Sequence, residues 1–456
     1  MRRTRRAHPG WLLVALAAVA ALAAAADAVE VWRDGDRWLE ASGSIREIVT
    51  LTHDTDADGF SRQLAANACF DPAAFADCRA FDRIGDRDAW QSLTRLRARF
   101  EGGIGKHWSA ALVYDNEFRG GILDGLFAVP GAVPDTFLGA EGRIGHATGR
   151  HAWTHSLYRA WLRVEQGPLQ VTVGRQRIPW GVGRLWNPID RFNAIGPLAI
   201  EADQSAGIDA IDVRWSFTGF DQLQLVYAPG TRSSDARVAA RLQGMVLDTD
   251  LGLVVGRFAQ AFTVGADMAG NIGDSAWRLE AVWTDPQRRA ARLGGLQPEP
   301  VERFWQVVVS LDHNFDIGSG LYVLVEHLWD QNALGLGRGR AGALLPFFQT
   351  AALPVAPDRA IALPISPDRF GGSGVVSLVS HQTGVLVGYD LGSALRGDLL
   401  VLWDWRGESA AIVPILSFTG FNSFEVSLGA QVFAGGRRSQ FGAQSTLLYT
   451  QIEWFF

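Results

Sequence analysis

After its first 28 residues, the sequence contains no long apolar segment without a charge. A helix that crosses a bilayer needs about 20 consecutive apolar residues, so helical membrane spans are excluded from this part of the chain. The sequence also lacks a repeat of about 40 to 50 residues, which argues against a β-propeller. Any membrane-crossing structure in the remaining chain must therefore be built from strands.

Cysteine and histidine are scarce, with 2 and 9 residues. His155 and Ser156 come closest to a Ser/His pair, but adjacent residues of a strand point to opposite faces and cannot form a catalytic dyad. We therefore predict no enzymatic activity and no cofactor. The formal net charge is −6, which gives no support to nucleic-acid binding, so nucleic acid is not an expected partner.

The amino terminus has the pattern of a secretory signal peptide. Four Arg residues within the first six positions precede an apolar run at 11–26, and the sequence ADA at 26–28 supplies a small-x-small cleavage site. The alternative, a retained membrane anchor, needs a longer run than these 16 residues. Loss of the predicted signal peptide, 1–28, removes four Arg and one Asp and changes the formal net charge from −6 to −9.

Apolar and charged residues alternate in many short segments of the mature chain, 29–456. At 95–100 the sequence RLRARF alternates Arg with Leu, Ala and Phe. A period of two residues indicates strands with two different faces, which lipid and a wet lumen supply in a membrane barrel. The sequence therefore predicts an all-β, transmembrane, antiparallel up-and-down β-barrel, and the competing interpretation is a soluble periplasmic β-protein. Similar alternation occurs at 158–165, 211–217, 277–283 and 398–405.

The lengths of the connections give an independent test of the barrel. Bacterial barrels have short periplasmic turns and long external loops, and here the long connections follow odd-numbered strands. The regular alternation of long and short connections predicts about 18 strands with both termini periplasmic. Loss of one hairpin within 235–275 would leave 16 strands. The main external loops are 53–88, 119–152, 179–206 and 331–374. The predicted strands are 38–52, 89–102, 106–118, 153–165, 168–178, 207–217, 220–228, 235–244, 250–257, 260–269, 275–284, 302–315, 320–330, 375–390, 396–404, 410–418, 422–432 and 444–456.

The first long loop carries two candidate features. Cys69 and Cys78 are close in sequence, and in an oxidising envelope they are expected to form a local disulfide. Asp54, Asp56 and Asp58 match the opening of a calcium loop, but Ala stands at the twelfth position, where an EF-hand has a bidentate acid. An acidic solvated loop and a weak calcium site are therefore both open, and no other metal site is predicted.

The chain ends in an amphipathic segment, LLYTQIEWFF at 447–456. Alternate residues back from Phe456 form one face of the predicted last strand. This segment resembles the carboxy-terminal signature of Gram-negative outer-membrane barrels, which the barrel assembly machinery reads. The resemblance implies recognition of Phe456 by that machinery and an outer membrane location, with lipid and lipopolysaccharide around the barrel.

The stretch 168–193 joins a short strand to a loop rich in stiff side chains. Its sequence VTVGRQRIPWG, at 171–181, resembles the strand-to-loop corner of porin-like families, including phosphate-selective porins and alginate-export barrels. The resemblance implies a loop folded into the lumen, and an ordinary surface loop is the alternative. The residues expected to form the constriction are Trp180, Gly181, Trp186, Asn187, Pro188, Asp190 and Arg191.

Seven Arg residues on predicted strands two, four and five are expected to form a basic patch along one side of the lumen. Asp190, Glu201 and Asp203 on the loop would face them, and opposed charges across a constriction select charged solutes. We expect a porin-like channel for passive passage of small, anionic solutes; an exopolysaccharide-export barrel and a structural outer-membrane protein are the alternatives. The oligomeric state is left open. The seven residues are Arg95, Arg97, Arg99, Arg159, Arg163, Arg175 and Arg177.

Overall fold

The structure of the protein is a computed structural model. The predicted signal peptide, Cys69 and Cys78, the acidic positions Asp54, Asp56 and Asp58, and Asp203 all lie outside the residues that it describes. The described residues are 29–53, 89–121, 141–143, 151–193, 196–201, 207–230, 233–258, 261–286, 289–291, 298–300, 303–331, 333, 377, 379–436, 439–442 and 446–456.

The described chain consists of strands joined by turns and loops, with one 3-10 turn at Ser233–Asp235. Within these ranges, no helix is long and apolar enough to cross a membrane. The wall strands are β2 (Arg37–His53), β3 (Ala89–Ile104), β4 (Trp108–Gly121), β6 (His151–Gln166), β7 (Leu169–Gln176), β8 (Ile208–Ser216), β9 (Gln222–Ala228), β10 (Arg237–Val246), β11 (Thr249–Phe258), β12 (Ala261–Ile272), β13 (Ser275–Pro286), β16 (Phe304–Phe315), β17 (Leu321–Asp330), β18 (His381–Asp390), β19 (Leu395–Asp404), β20 (Ser409–Phe421), β21 (Phe424–Ala434) and β22 (Thr446–Phe455). The short strands are β1 (Val29–Asp34), β5 (Glu141–Arg143), β14 (Arg289–Ala291) and β15 (Pro298–Pro300).

The wall strands form a closed antiparallel barrel. Each pairs with the next wall strand along the chain, and β22 pairs with β2, from Ser44 opposite Phe455 to His53 opposite Thr446. The prediction of 18 strands is confirmed, because β10, β11 and β12 all take part in the wall where the 16-stranded alternative would have lost a hairpin. The sequence did not predict the short strands, which lie outside the continuous wall.

The barrel closes where the carboxy terminus meets β2. The backbone N–H of Gly43 donates to the carbonyl of Phe456 at 2.7 Å, and the N–H of Phe456 donates back to Gly43 at 3.0 Å. A Cβ at position 43 would lie 2.6 Å from the Phe456 ring, so glycine allows the terminal ring to lie against β2. Where the pairing with β22 ends, β1 pairs with the same edge of β2, with Asp34 opposite Arg37.

The two faces of the wall differ in composition. On the outer face, Leu253, Trp305 and Val309 are 58%, 45% and 53% exposed, whereas the inward side chains of Glu280 and Glu326 are 0% exposed. A water-soluble protein does the reverse, because it buries apolar side chains and exposes charged ones. The arrangement fits a barrel whose outer face meets lipid and whose inner face is polar.

Short turns join the strands at one end of the barrel. The two-residue turns after β6 and β12 begin at Gly167 and Gly273, which have φ values of 58° and 59°. Tight hairpins need positive φ at such positions, and glycine adopts it without steric cost. The sequence predicts a short connection after every second strand of the wall, and the structure confirms these short connections at this end of the barrel.

Candidate functional site

The β7–β8 loop, residues 177–207, contacts wall strands that lie far apart around the barrel. The structure describes it at 177–193, 196–201 and 207, and these residues contain no helix or strand. Its first part bonds to β9, β13 and β17, and its later part bonds to β21, β2 and β3. The side chains that receive it all belong to the inward face of the wall.

Polar side chains within the loop fix its shape. The backbone N–H of Asp190 donates to Asn187 Oδ1 at 3.0 Å, and Asp190 Oδ1 accepts from the backbone N–H groups of Phe192 and Asn193, at 3.1 and 2.7 Å. Asn193 Oδ1 then accepts from the backbone N–H of Ile178 at 2.8 Å. These bonds join the two ends of the segment 178–193, so the rigid loop that the sequence predicts has a structural basis.

Gly181 allows the loop to turn tightly beside Asn187. Its φ is 86°, and a Cβ there would lie 2.0 Å from Asn187 Oδ1. The Asn187 amide also donates to the carbonyl of Trp180 at 2.6 Å. A side chain at position 181 would therefore displace the amide that organises the turn.

Glu280 on β13 accepts three backbone N–H groups from the loop. One carboxylate oxygen accepts from Val182 and from Gly183, at 2.5 and 2.6 Å, and the other accepts from Ile189 at 3.3 Å. Hydrogen bonds to a charged acceptor are stronger than neutral ones, and a buried N–H without a partner costs about 1–3 kcal/mol. Glu280 therefore both satisfies the loop backbone and fixes its distance from β13.

Glu326 on β17 likewise accepts three backbone N–H groups, from the next turn of the loop. Its two oxygens accept from the backbone N–H groups of Arg184, Leu185 and Trp186, at 2.8, 2.8 and 2.7 Å. Three successive N–H groups converging on one anion form the concave backbone arrangement known as a nest. Two inward carboxylates thus take up six backbone donors of a loop that has no strand or helix partner of its own.

Apolar side chains of the loop pack in two clusters against the wall. Trp180, Ile189 and Phe192 are at most 4% exposed, and the Trp180 and Phe192 rings meet edge-on with centroids 4.9 Å apart. The Trp180 indole N–H also donates to Gln224 Oε1 at 2.9 Å. The first cluster adds Ile178, Ile208, Ala210, Val226, Ala228, Ala239, Val254, Phe258 and Val282. In the second, Trp186 packs with Val308, Leu328, Leu400, Leu402, Ala411, Val413 and Phe441.

Two charged residues of the loop are also buried. Arg191 donates through Nε to the carbonyl of Pro188 at 2.9 Å and through Nη2 to Thr284 Oγ1 at 2.8 Å. Burial lowers the pKa of Arg191 to about 10 and raises the pKa of Asp190 to about 6, because both charged forms lose hydration. The backbone N–H groups bonded to Asp190 act in the opposite direction and hold its pKa below the value that burial alone would give.

The far part of the loop reaches the wall near the chain termini. The carbonyl of Leu198 accepts from Gln431 Nε2 at 2.8 Å. Glu201 pairs with Arg46 on β2 at 3.0 Å and with Arg95 on β3, whose Nη2 lies 3.1 Å from Oε2. Glu201 therefore faces the Arg patch, as the sequence predicts, whereas Asp190 bonds within its own loop.

The predicted Arg residues of β3 are paired with acids. Arg95 Nε donates to Glu117 at 2.8 Å, and Arg97 makes two bonds of 2.7 Å with the two oxygens of Asp115. Arg99 is about half exposed and pairs with its strand neighbour Glu101 at 2.5 Å. The basic patch predicted from β3 is therefore largely neutralised, because the facing strand supplies carboxylates that the sequence did not pair with it.

The Arg residues of β6 lie over aromatic rings, and Arg163 also lies 4.0 Å from Glu165 and donates from Nε to Thr172 Oγ1 at 3.2 Å. Arg159 lies 4.2 Å from the centroid of Tyr158, whose ring Arg97 also approaches at 3.7 Å, and Arg163 lies 4.7 Å from the centroid of Trp161. The alternation at 158–165 groups Tyr158 with Ala160 and Leu162 and so predicts that Tyr158 faces lipid, but this prediction is wrong. The register between β4 and β6 shifts at Val113, so that Tyr158 is an extra residue, and a bulge of this kind turns two successive side chains to one face.

Arg175 and Arg177 differ from the rest of the predicted set. Arg175 lies opposite Asp209 and directly after Gly174, whose φ of 119° departs from regular strand geometry, so alternation from Val173 does not give its direction. It is 2% exposed and forms a salt bridge with Asp209 at 2.9 Å. The pairing neutralises Arg175, and its place in the predicted lumen set stays a prediction. Arg177 follows the end of β7 and its side chain is exposed.

The residues that anchor the loop were not identified from the sequence. Glu280 and Glu326 were charged positions on alternating strands, but their partners are backbone N–H groups, which have no signature in a sequence. Arg46 and Glu453, which pair across the β2–β22 seam, were missed because the two strands lie at opposite ends of the chain. The available signal was alternation along each strand, which places all four of these charged residues on the inward face.

Comparison with known proteins identifies the fold. Neither a family model nor a curated protein matches the sequence. Two structures of Pseudomonas aeruginosa OpdK, one of them with vanillate, are 12% identical with a TM-score of 0.50, over 92% of this chain and 98% of theirs. OccK8 (OprE) from the same organism is 9% identical with a TM-score of 0.49 over the same shares. The chain has the closed, 18-stranded fold of a porin-like outer-membrane barrel.

Proposed function

We propose that this protein is an outer-membrane channel for the passive passage of small solutes, with a preference for anions and with the β7–β8 loop as its constriction. The proposal rests on one observation above all. The loop bonds to the inward faces of β9, β13, β17, β21, β2 and β3. In a closed barrel, one loop can contact all of these strands only by passing through the interior.

The position of the apolar clusters indicates where a path remains. The loop packs on inward side chains of β8 to β13 and of β16 to β20, so that side of the interior is filled by protein. The wall from β2 to β6 carries inward charges instead, among them Arg97, Asp115 and Arg159. We therefore place the solute path between this charged wall and the loop.

The preference for anions rests on the β6 residues Arg159 and Arg163. A guanidinium stacked over a ring keeps its N–H groups at its edge, where they can donate to a carboxylate or phosphate. The β3 residues Arg95 and Arg97 contribute less to selection, since Glu117 and Asp115 neutralise them. Local charge of this kind can outweigh a net charge of −9, because salt screens acids that lie more than about 8 to 10 Å away.

The orientation follows from the connections. Barrels of this kind place their short turns in the periplasm, and here the chain enters β2 and leaves β22 at the end of the barrel that carries the short turns. We propose that both termini are periplasmic. No catalytic group or cofactor is part of the proposal.

The test is planar-bilayer recording of the purified full-length mature protein under a salt gradient. We expect discrete conductance steps and a reversal potential of the sign set by anion permeation. Removal of 181–193 is expected to raise the conductance, because those residues carry the bonds to Glu280 and Glu326.

A gated export barrel or a structural outer-membrane protein is the second candidate. Six backbone bonds and two apolar clusters hold the loop firmly, which favours a lumen that stays closed. Insertion of the intact protein without conductance, followed by conductance after removal of 181–193, would select this candidate over the open channel.

A further inference from the structure

The outer face of the barrel carries two histidines that contact each other at one end of the wall. His327 on β17 and His381 on β18 are 54 positions apart in the sequence. In the structure, His327 Nε2 lies 3.3 Å from His381 Nδ1, and the ring centroids are 5.5 Å apart. The two strands are direct neighbours in the wall, so pairing of β17 with β18 brings the histidines together.

Strand alternation places both histidines outside the barrel. Val325, two residues before His327, is 43% exposed, whereas Glu326 between them is fully buried and holds the β7–β8 loop inside. His381 lies opposite Trp329, which shares the outward face of His327. The wall therefore separates the histidine pair from the proposed solute path.

The pair lies at the rim of the wall, where water can reach it. His381 is the first residue of β18 and is exposed, and the neighbouring outer residues Trp403 and Trp405 are 38% and 59% exposed. The long connection between β17 and β18 starts and ends here, at the end of the barrel that we propose is external. Aromatic residues such as these mark the border of the apolar band. An ion from solution can therefore reach His381 without crossing that band.

Neighbouring side chains hold the His327 ring in one orientation. Its Nδ1 lies 2.9 Å from Thr383 Oγ1, and the indole N–H of Trp405 donates to the same oxygen at 2.7 Å. A hydroxyl oxygen has two lone pairs, so Thr383 can accept from His327 Nδ1–H as well as from Trp405. In that tautomer, Nε2 of His327 presents a lone pair on the side of His381. Histidines that bind metal ions usually donate their other ring N–H to a partner in this way.

The separation of the two ring nitrogens fits a shared metal ion. Zinc binds imidazole nitrogen at about 2.0–2.1 Å with tetrahedral angles, so two nitrogen ligands of one ion lie about 3.3–3.4 Å apart. The distance of 3.3 Å between His327 Nε2 and His381 Nδ1 falls in this range. Among the described residues, no group of three or more His, Cys, Asp or Glu side chains could hold a metal ion. Two imidazoles are therefore the protein ligands that this site can offer.

We propose that His327 and His381 form a zinc site on the outer rim of the barrel. His327 Nε2 and His381 Nδ1 supply two ligands, and water molecules complete the tetrahedron. The ion takes the place of the single N–H that lies between the two rings. His327 then keeps its proton on Nδ1, next to Thr383, and His381 keeps its proton on the exposed Nε2. Both rings stay neutral, so binding at neutral pH releases no proton.

Zinc titration of the purified, untagged mature protein tests the site, with calorimetry and native mass spectra as the measurements. Every variant carries Cys69→Ser and Cys78→Ser, so that thiols bind no zinc. We expect His381→Gln to bind one Zn²⁺ fewer than the parent protein. Thr383→Val is expected to weaken the same equivalent about tenfold or more, because loss of a partner that orients a ligand typically costs about 10–100-fold in affinity. His313→Gln is the matched control, since His313 bonds to Ser275 Oγ and not to a histidine.

Copper gives a second readout that distinguishes ligation from loose association. Imidazole binds Cu²⁺ as well as Zn²⁺, and the hyperfine coupling in the electron paramagnetic resonance spectrum counts the nitrogen ligands. We expect two nitrogen ligands in the parent protein and at most one in His381→Gln, while the barrel keeps its heat-modifiable mobility. Equal zinc stoichiometry in the parent protein and His381→Gln would overturn the proposal. A parent copper spectrum with at most one nitrogen ligand would overturn it as well.

Discussion

Two parts of the barrel wall use inward acids in different ways. In the part from β8 to β20, Glu280 and Glu326 accept backbone N–H groups of the β7–β8 loop and are surrounded by apolar side chains. In the part from β2 to β6, Asp115 and Glu117 pair with Arg side chains. The same alternating pattern therefore produces a loop anchor in one place and a charged surface in the other.

The difference lies in what faces each carboxylate. A backbone N–H is neutral, so the carboxylates of Glu280 and Glu326 bring charge into the contact and need several donors each to offset lost hydration. Arg95 and Arg97 bring an opposite charge and two or more N–H groups at once, which stabilises the acid without fixing any backbone. Loss of an anchor should therefore move the loop, whereas loss of an Arg should alter charge or local stability.

The largest effect is expected from changing both anchors. Glu280→Gln with Glu326→Gln removes two charges and leaves one strong acceptor atom where each carboxylate had two, so several loop N–H groups lose their partners at about 1–3 kcal/mol each. We expect single-channel conductance to rise about twofold or more, with added fluctuations, because pore diameter controls flow. Bilayer recordings of the variant and the wild type provide the measurement.

Asp312→Asn is the matched control for this change. Asp312 is an inward acid on β16 that pairs with Arg278 and makes no bond to the described residues of the loop. The conductance of the Asp312→Asn variant is expected to match that of the wild type. If the control and the double anchor variant behaved alike, the anchoring role of Glu280 and Glu326 would be wrong.

A smaller effect is expected from the Arg residues, and it should differ between β6 and β3. Arg159→Ser with Arg163→Ser is expected to lower the anion-to-cation permeability ratio several-fold with only a small loss of stability, because the contacts removed are mainly to rings and neutral acceptors. Arg95→Ser with Arg97→Ser leaves Glu117 and Asp115 buried without their main cations, which typically costs about 3–5 kcal/mol when a buried pair is broken. Reversal potentials and urea unfolding of the two variants measure the two effects.

The contrast between these variants is the informative result. Equal selectivity changes from both pairs would mean that the β3 Arg residues also contact solutes, despite their acid partners. Unchanged selectivity in both would contradict the proposed anion preference and leave the constriction alone as the determinant of passage.

The overall fold could be predicted because its signals are local and repeated. Alternation such as RLRARF, short turns at one end and long connections at the other each report on single strands, and together they gave the 18 strands that the structure has. The bulge at Tyr158 could not be predicted in this way, because a single extra residue reverses the parity of one side chain without changing the pattern around it.

The contacts of the candidate site were less accessible to sequence reasoning. Trp180, Asn187 and Asp190 identified a rigid loop by residue type, but the positions of Glu280 and Glu326 relative to it depend on how the chain returns after about 100 residues or more. The salt bridge of Arg175 with Asp209 was also missed, because the two residues lie on different strands and 34 positions apart in the sequence.

The smallest effect is expected from pH, through Asp190. Burial raises its pKa from 3.8 to about 6, so the neutral form is favoured in the folded loop. The contribution of this group to loop stability is therefore fully present below pH 3.8 and is lost as pH rises through about 6. We expect loop-dependent current fluctuations to increase between about pH 5 and pH 7.5, with little change in mean conductance. Asp190→Asn keeps an oxygen that can accept from Phe192 and Asn193 but cannot ionise, so it should hold the low-pH behaviour throughout. Fluctuations that kept the same pH dependence in this variant would assign the titration to another group.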